Sequence, residues 1–235
     1  MSVTQADAIS IGPPTSAGHD LVSSTVHYFR HYDVEGLACE LREHWTTEEL
    51  VLLLASDRDD TVKVAAACLG VVGTFRDCAA LARTLNHDDA LVVSMAEHAL
   101  WLIWLRHPDA DIRRDLHVAV RLIDHNRERH AVERLSEVIA RAPDFAEAYN
   151  QRAIAYCFID RPLEAIADYK RTIRLNPHHF AALAGMGHCL VQLNRFHEAL
   201  QAYRAALNIH PRMDGVRQSI RQLSSILNRV GTPGH

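Results

Sequence analysis

Three prolines, Pro143, Pro177 and Pro211, divide the second half of the chain at two equal intervals. A fixed period of that length marks a chain that stacks copies of one small supersecondary unit, because a unit of this size cannot bury its own apolar face. Counting back from Pro177, one copy begins at Ala146 and carries Tyr149, Ala153, Tyr156, Ala165 and Tyr169. The next begins at Phe180 and carries Leu183, Gly187, Leu190, Ala199, Tyr203 and Ala206. Gly or Ala falls at positions 8 and 20 of each copy, and a close crossing of two helices needs such small residues. Large side chains at positions 4, 11 and 24 fill the space between copies, and the proline at position 32 stops the second helix.

These residues resemble the tetratricopeptide repeat. A third, degenerate copy precedes them: Ala131, Leu135, Val138 and Pro143 fit, while Asp115 stands where an aromatic is usual. A terminal helix, residues 213–228, sets Val216, Ile220, Leu223 and Leu227 on one face, as a solvating cap requires. The resemblance covers residues 112–228 and implies a concave groove lined by the first helix of each copy. The groove positions it assigns are Glu147, Asn150, Ile154, Cys157 and Phe158, then Ala181, Ala184, His188, Val191 and Gln192. The degenerate copy adds Arg113, Leu116, Val120, Ile123 and Asp124. From these, Asn150, Ile154, Phe158, His188, Val191 and Gln192 are the candidate partner-binding residues. Relatives that clamp a chaperone's C-terminal carboxylate use Lys, Asn and Arg on this surface. Leu116 and Val120 occupy the places of a cation and an amide here, so a carboxylate clamp is disfavoured. A mixed, partly apolar groove suits an extended segment or helix of a partner.

The first half has a different, shorter period. One constant shift superposes Leu50 on Leu81, Leu54 on Leu85, Val62 on Val93, Ala65 on Ala96 and Leu69 on Leu100, with Asp57 on Asp88 in the turn. Spacings of three, four and seven put these on one helix face. The segment 46–105 resembles two short bacterial HEAT-like repeats, with residues 34–44 a degenerate cap before them. Thr46 with Glu49 forms a capping-box pattern, and Asp59 or Asp60, then Thr74, are expected caps of the following helices.

No segment alternates with the period of a strand, so the fold expected is all-α: a tandem helical-repeat solenoid of HEAT-like repeats, tetratricopeptide repeats and a capping helix. The division expected is a disordered tail over 1–20, HEAT-like repeats over 21–107, the tetratricopeptide domain with its cap over 108–229, and a flexible tail over 230–235. Hydrophobic residues make up 48% and charged residues 23%, which excludes a wholly disordered chain. No apolar run approaches a bilayer span, residues 1–18 lack the apolar region of a secretory leader, and no membrane partner is expected. Five cysteines without a C-x-x-C pair read as buried or idle thiols of a reducing cytoplasm. Arg outnumbers Lys 23 to 2, which reads mainly as the codon bias of a GC-rich, bacterial genome and only weakly as a sign of phosphate recognition.

Residues 1–110 carry a net charge of −9 and residues 111–235 one of +5. Arg212, Arg217, Arg221 and Arg229 make the terminal helix basic, which raises nucleic-acid binding as an alternative. The acidic first half opposes it, since it would repel a phosphate backbone. A metal-dependent enzyme is a weaker alternative. Glu97-His98 and His197-Glu198 resemble the dipeptides of HEAT-repeat hydroxylases, but only the second has their order, and the symmetric set of four is missing. His178-His179 in an inter-repeat turn read as exposed polar residues. No nucleophile elbow, phosphate loop or H-E-x-x-H is present, so no catalytic residue, metal or cofactor is expected. Trp101 and Trp104 read as core at the junction of the two modules. The function expected is a non-catalytic scaffold that binds a protein or peptide in the concave groove.

Overall fold

The computed structural model describes residues 20–230, with side chains through Asn228. The expected tails fall outside these residues, apart from Asp20 and Val230. Among the described residues there are thirteen α-helices, one short 3-10 turn and no strand. The first six helices are α1 (Leu21–His31), α2 (Val34–His44), α3 (Thr47–Leu53), α4 (Asp59–Val72), α5 (Cys78–Thr84) and α6 (Ala90–Trp104). The remaining seven are α7 (Ala110–Asp124), α8 (Glu128–Arg141), α9 (Ala146–Phe158), α10 (Pro162–Leu175), α11 (Phe180–Gln192), α12 (Phe196–Ile209) and α13 (Asp214–Val230).

Side-chain caps start several of these helices. Thr46 and Glu49 form a reciprocal capping box at α3, and Thr74 with Asp77 forms another ahead of α5. The expected cap of α4 is displaced by one position. Arg58 holds the N-cap place without a side-chain bond. Asp59 and Asp60 sit inside the first turn, where their charge still complements the helix dipole. Asp89 caps α6 and Asp109 caps α7, each accepting from two backbone N–H groups. Each also donates its own N–H to the histidine just before it in the turn, His87 or His107.

Both periods appear in three dimensions. The hairpin α3–α4 recurs as α5–α6 at the shorter period, and α4 packs along α6. The hairpin α9–α10 recurs as α11–α12 at the longer one, α13 begins where the next copy would, and from α7 to α13 each helix packs on the next. The turns inside the copies place Asn126, Asp160 and Asn194 at φ of 55°, 57° and 57°, with the same spacing as the three prolines. Asn and Asp tolerate this left-handed conformation better than other side chains do. In the degenerate copy Asp115 is satisfied by charge: Arg141 Nη2 donates to it at 2.8 Å, and Arg134 lies 3.7 Å away.

The two halves do more than follow one another. Phe180, at the start of α11, is buried in the core of the N-terminal helices beside Trp104. Arg212, just before α13, donates to the backbone carbonyls of His87 and Asp88 at 2.8 and 2.6 Å. Glu97 of α6 meets His210 at 3.3 Å. The N-terminal unit therefore folds back onto the turns that enter α11 and α13, a contact that the repeat pattern does not imply.

Candidate functional site

The first helices of the three copies are α7, α9 and α11, and α13 follows them as the terminal helix. The N-terminal unit packs on the turns that enter α11 and α13. Trp104 of α6 lies stacked on His179, with ring centroids 4.4 Å apart and planes at 19°. Trp101 meets the same ring edge-on at 5.7 Å. Both tryptophans thus sit at the junction, as their sequence context suggests.

His179 departs from its expected role as an exposed turn residue, for it is fully buried. Its Nδ1 accepts the N–H of Ala182, which caps α11. That leaves Nε2 to carry the proton, and it donates to Glu147 Oε2 at 3.0 Å. The other oxygen of Glu147 accepts from Asn150 Nδ2 at 3.0 Å and Gln151 Nε2 at 2.7 Å. A buried carboxylate is held this way because each of its oxygens finds a donor.

The same network removes Asn150 from the groove. Expected on the open surface, Asn150 is 1% exposed and spends its amide on Glu147. Sequence reasoning missed this because it treated Glu147 and Asn150 as isolated groove positions. The available signal was a histidine immediately before the repeat that follows.

The other five candidates lie on α9 and α11, away from the His179–Glu147 network. Phe158, the last residue of α9, is 67% exposed. Ile154 and Val191 are half-buried and pack against one shared core of the two complete repeats. Gln192 is exposed and ties its amide to Asp160 in the preceding turn, which brings the ends of α9 and α11 together. His188 is held 2.7 Å from the Tyr203 hydroxyl. Surrounding protein disfavours its charged form and lowers its pKa below the ordinary imidazole value.

His188, Ala184 and Phe180 line a cleft of about 580 Å³ between α11 and α13, with Val216 and Ser219 opposite and Glu97 of α6 at one end. The start of α11 is thus held in a buried hydrogen-bonded network with α9, while the last residue of α9, Phe158, is exposed.

The basic face of α13 is partly neutralised. Arg217 pairs with Asp214 at 2.6 Å, and Arg212 is engaged with backbone carbonyls. The side chain of Arg229 lies outside the described residues. Among the described residues no group of three or more His, Cys, Asp or Glu side chains is placed to hold a metal ion. Nor is any helix among them long and apolar enough to cross a membrane. Of the five cysteines, Cys68, Cys78 and Cys189 are buried, Cys157 is half-buried and Cys39 is exposed.

A family model described as tetratricopeptide repeat matches residues 160–219. A TPR repeat-containing protein of Rhizobium etli is 28% identical over 126 residues, covering 54% of this chain and 62% of that protein. The Hsp70-Hsp90 organizing protein 1 of Glycine max is 27% identical over 107 residues, covering 44% of this chain and 19% of its own length. The match therefore spans less than two thirds of either relative. Among solved structures, the first TPR of Spaghetti (RPAP3), bound to the HSP90 peptide SRMEEVD, aligns at a TM-score of 0.50 and 19% identity. That alignment covers 52% of this chain and 98% of that one. The Sgt2 TPR domain from Aspergillus fumigatus aligns at 0.51 and 15% identity, covering 55% and 88%.

Proposed function

Taking the chain as one that carries tetratricopeptide repeats, we propose that it is a non-catalytic adaptor that holds a partner protein or peptide on the open end of its concave side. The observation that carries this reading is Phe158. A large aromatic ring, two-thirds exposed, stands at the end of α9, one helical turn after half-buried Ile154. Exposed aromatics rimmed by polar groups are characteristic binding anchors. In this reading Gln192, bonded to Asp160 in the turn after Phe158, supplies part of that rim.

The partner is an apolar segment rather than an acidic chain terminus. The Spaghetti TPR holds an HSP90 peptide, but in this chain Leu116 is buried in the core and Asn150 is bound to Glu147. Neither offers a donor to a carboxylate. The N-terminal unit, residues 21–107, acts in this reading as a HEAT-like buttress that seals the helix starts and confines binding to the Phe158 end. Five free thiols accord with a reducing, cytoplasmic setting. Nucleic-acid binding through α13 is the weaker reading, because Arg212 and Arg217 already have partners.

Selection of a random peptide display library against the purified chain tests the proposal. Enrichment of sequences with apolar residues at regular spacing, lost when Phe158→Ala replaces the wild type, is the expected result. Equal selection by both proteins, or enrichment of acid-terminated peptides alone, would contradict it.

A further inference from the structure

Cys157 and Cys189 come from adjacent repeats, 32 residues apart in sequence, yet their sulfurs lie 2.8 Å from each other. That is well inside ordinary non-bonded contact for two sulfurs and outside a covalent bond. Cys157 is on α9 and half-buried, whereas Cys189 is on α11 and buried. The Tyr169 hydroxyl, carried by α10, lies 3.8 Å from the Cys157 sulfur. Gly185 of α11 makes room for this arrangement: a Cβ there would fall 2.5 Å from the end of the Tyr169 ring. Three helices thus converge on one pair of thiols, of which Cys157 is the less buried.

We propose that Cys157 and Cys189 form a reversible disulfide on exposure to a hydroperoxide, stapling the first helices of the two complete repeats. The Cys157 thiolate attacks the peroxide, forming an S–O bond as the O–O bond breaks. The departing oxygen takes a proton and leaves as water or alcohol. The Cys189 sulfur then attacks the sulfenic sulfur of Cys157. An S–S bond forms, the S–O bond breaks, and water leaves with the thiol proton. Two thiols are oxidised by two electrons and one peroxide is reduced, and a dithiol reductant reverses the change.

The roles of the two sulfurs follow from their surroundings. Hydrogen bonds from the Cys189 thiol and the Tyr169 hydroxyl lower the pKa of Cys157, so it is the more readily ionised. Cys189 is shifted upward by the same contact and by burial, which suits the thiol that resolves. Tyr169 is raised by burial and keeps its proton to donate. This inference is independent of what the groove binds.

The test uses the full chain on a Cys39→Ser background, which removes the exposed thiol that would join molecules together. Hydrogen peroxide is added to the reduced protein, and intact mass and peptide mapping follow the products. The expected result is loss of two hydrogens, a 157–189 cross-linked peptide, a melting temperature raised by a few degrees, and full reversal by dithiothreitol. With Cys189→Ser added, a 1,3-dione probe should trap a sulfenic acid at Cys157. With Cys157→Ser instead, Cys189 should stay unmodified. Wild-type protein mapped at a peroxide dose that fully oxidises Cys39 provides a measurement free of any folding defect in the variants. No 157–189 link at that dose, or sulfinic acid at Cys157 without a bridge, would overturn the proposal.

Discussion

Trp104 lies flat on His179, although the two belong to opposite halves of the chain. One face of the imidazole is covered by the indole, and its two nitrogens bind the α11 backbone and the Glu147 carboxylate. His179→Ala would remove all three contacts and leave a buried carboxylate oxygen short of a donor. Loss of one partner from a buried polar pair costs roughly 2–5 kcal/mol. The neighbouring His178→Ala should stay within about 0.5 kcal/mol, as surface changes usually do. Urea unfolding of the two variants measures the contrast, and similar midpoints would mean that the junction contributes little.

Two glycines should respond in opposite ways to alanine. At Gly187 an added Cβ would lie 2.5 Å from the Tyr203 ring, so overpacking should cost about 1–3 kcal/mol. At Gly215 nothing lies within 4 Å, and the higher helix propensity of alanine should stabilise α13 by up to about 1 kcal/mol. Thermal melts of Gly187→Ala and Gly215→Ala check both signs.

Acid should loosen the N-terminal unit over a defined interval. Asp89 is pushed down to about 2, first by the N–H of Val92 and then by Lys63 3.0 Å away. Glu97 is lowered from its ordinary 4.5, chiefly by its hydrogen bond with His210. A carboxylate whose folded pKa is depressed adds stability that is complete above its unfolded value and is lost as pH falls through the folded one. Melting temperature should therefore decline between about pH 4.5 and pH 2. Asp89→Asn and Glu97→Gln should each flatten that decline, and an unchanged slope in both would contradict the assignment.

The helical class and the register of the second-half repeats were legible because they rest on local rules: small residues at helix crossings, proline at the stop, apolar residues on one face. Gly187 is such a case: its place in the repeat marked a close crossing, and an added Cβ there would meet the Tyr203 ring. Asn126, Asp160 and Asn194 carried the same register in their left-handed turns, a signal open to reading but not used. The fold-back was not legible. Trp104 on His179 and Arg212 on the carbonyl of His87 join segments whose own patterns are complete without them. No periodicity encodes which neighbour a finished helix face will choose. Asn150 was misplaced for this reason, since its burial depends on His179 and Glu147 rather than on its position in α9.

The most direct measurement of the central claim is the affinity of a library-selected peptide for wild type, Phe158→Ala, and the double variant Arg217→Ala/Arg221→Ala, in low and moderate salt. If the open end of the groove is the binding surface, Phe158→Ala should weaken binding by roughly thirty-fold, about 2 kcal/mol. Helicity and melting temperature should hardly change, and the arginine variant should bind as wild type does with little salt dependence. Normal binding by Phe158→Ala, together with loss in the arginine variant and a steep fall with salt, would contradict the account and put the interaction on α13 instead.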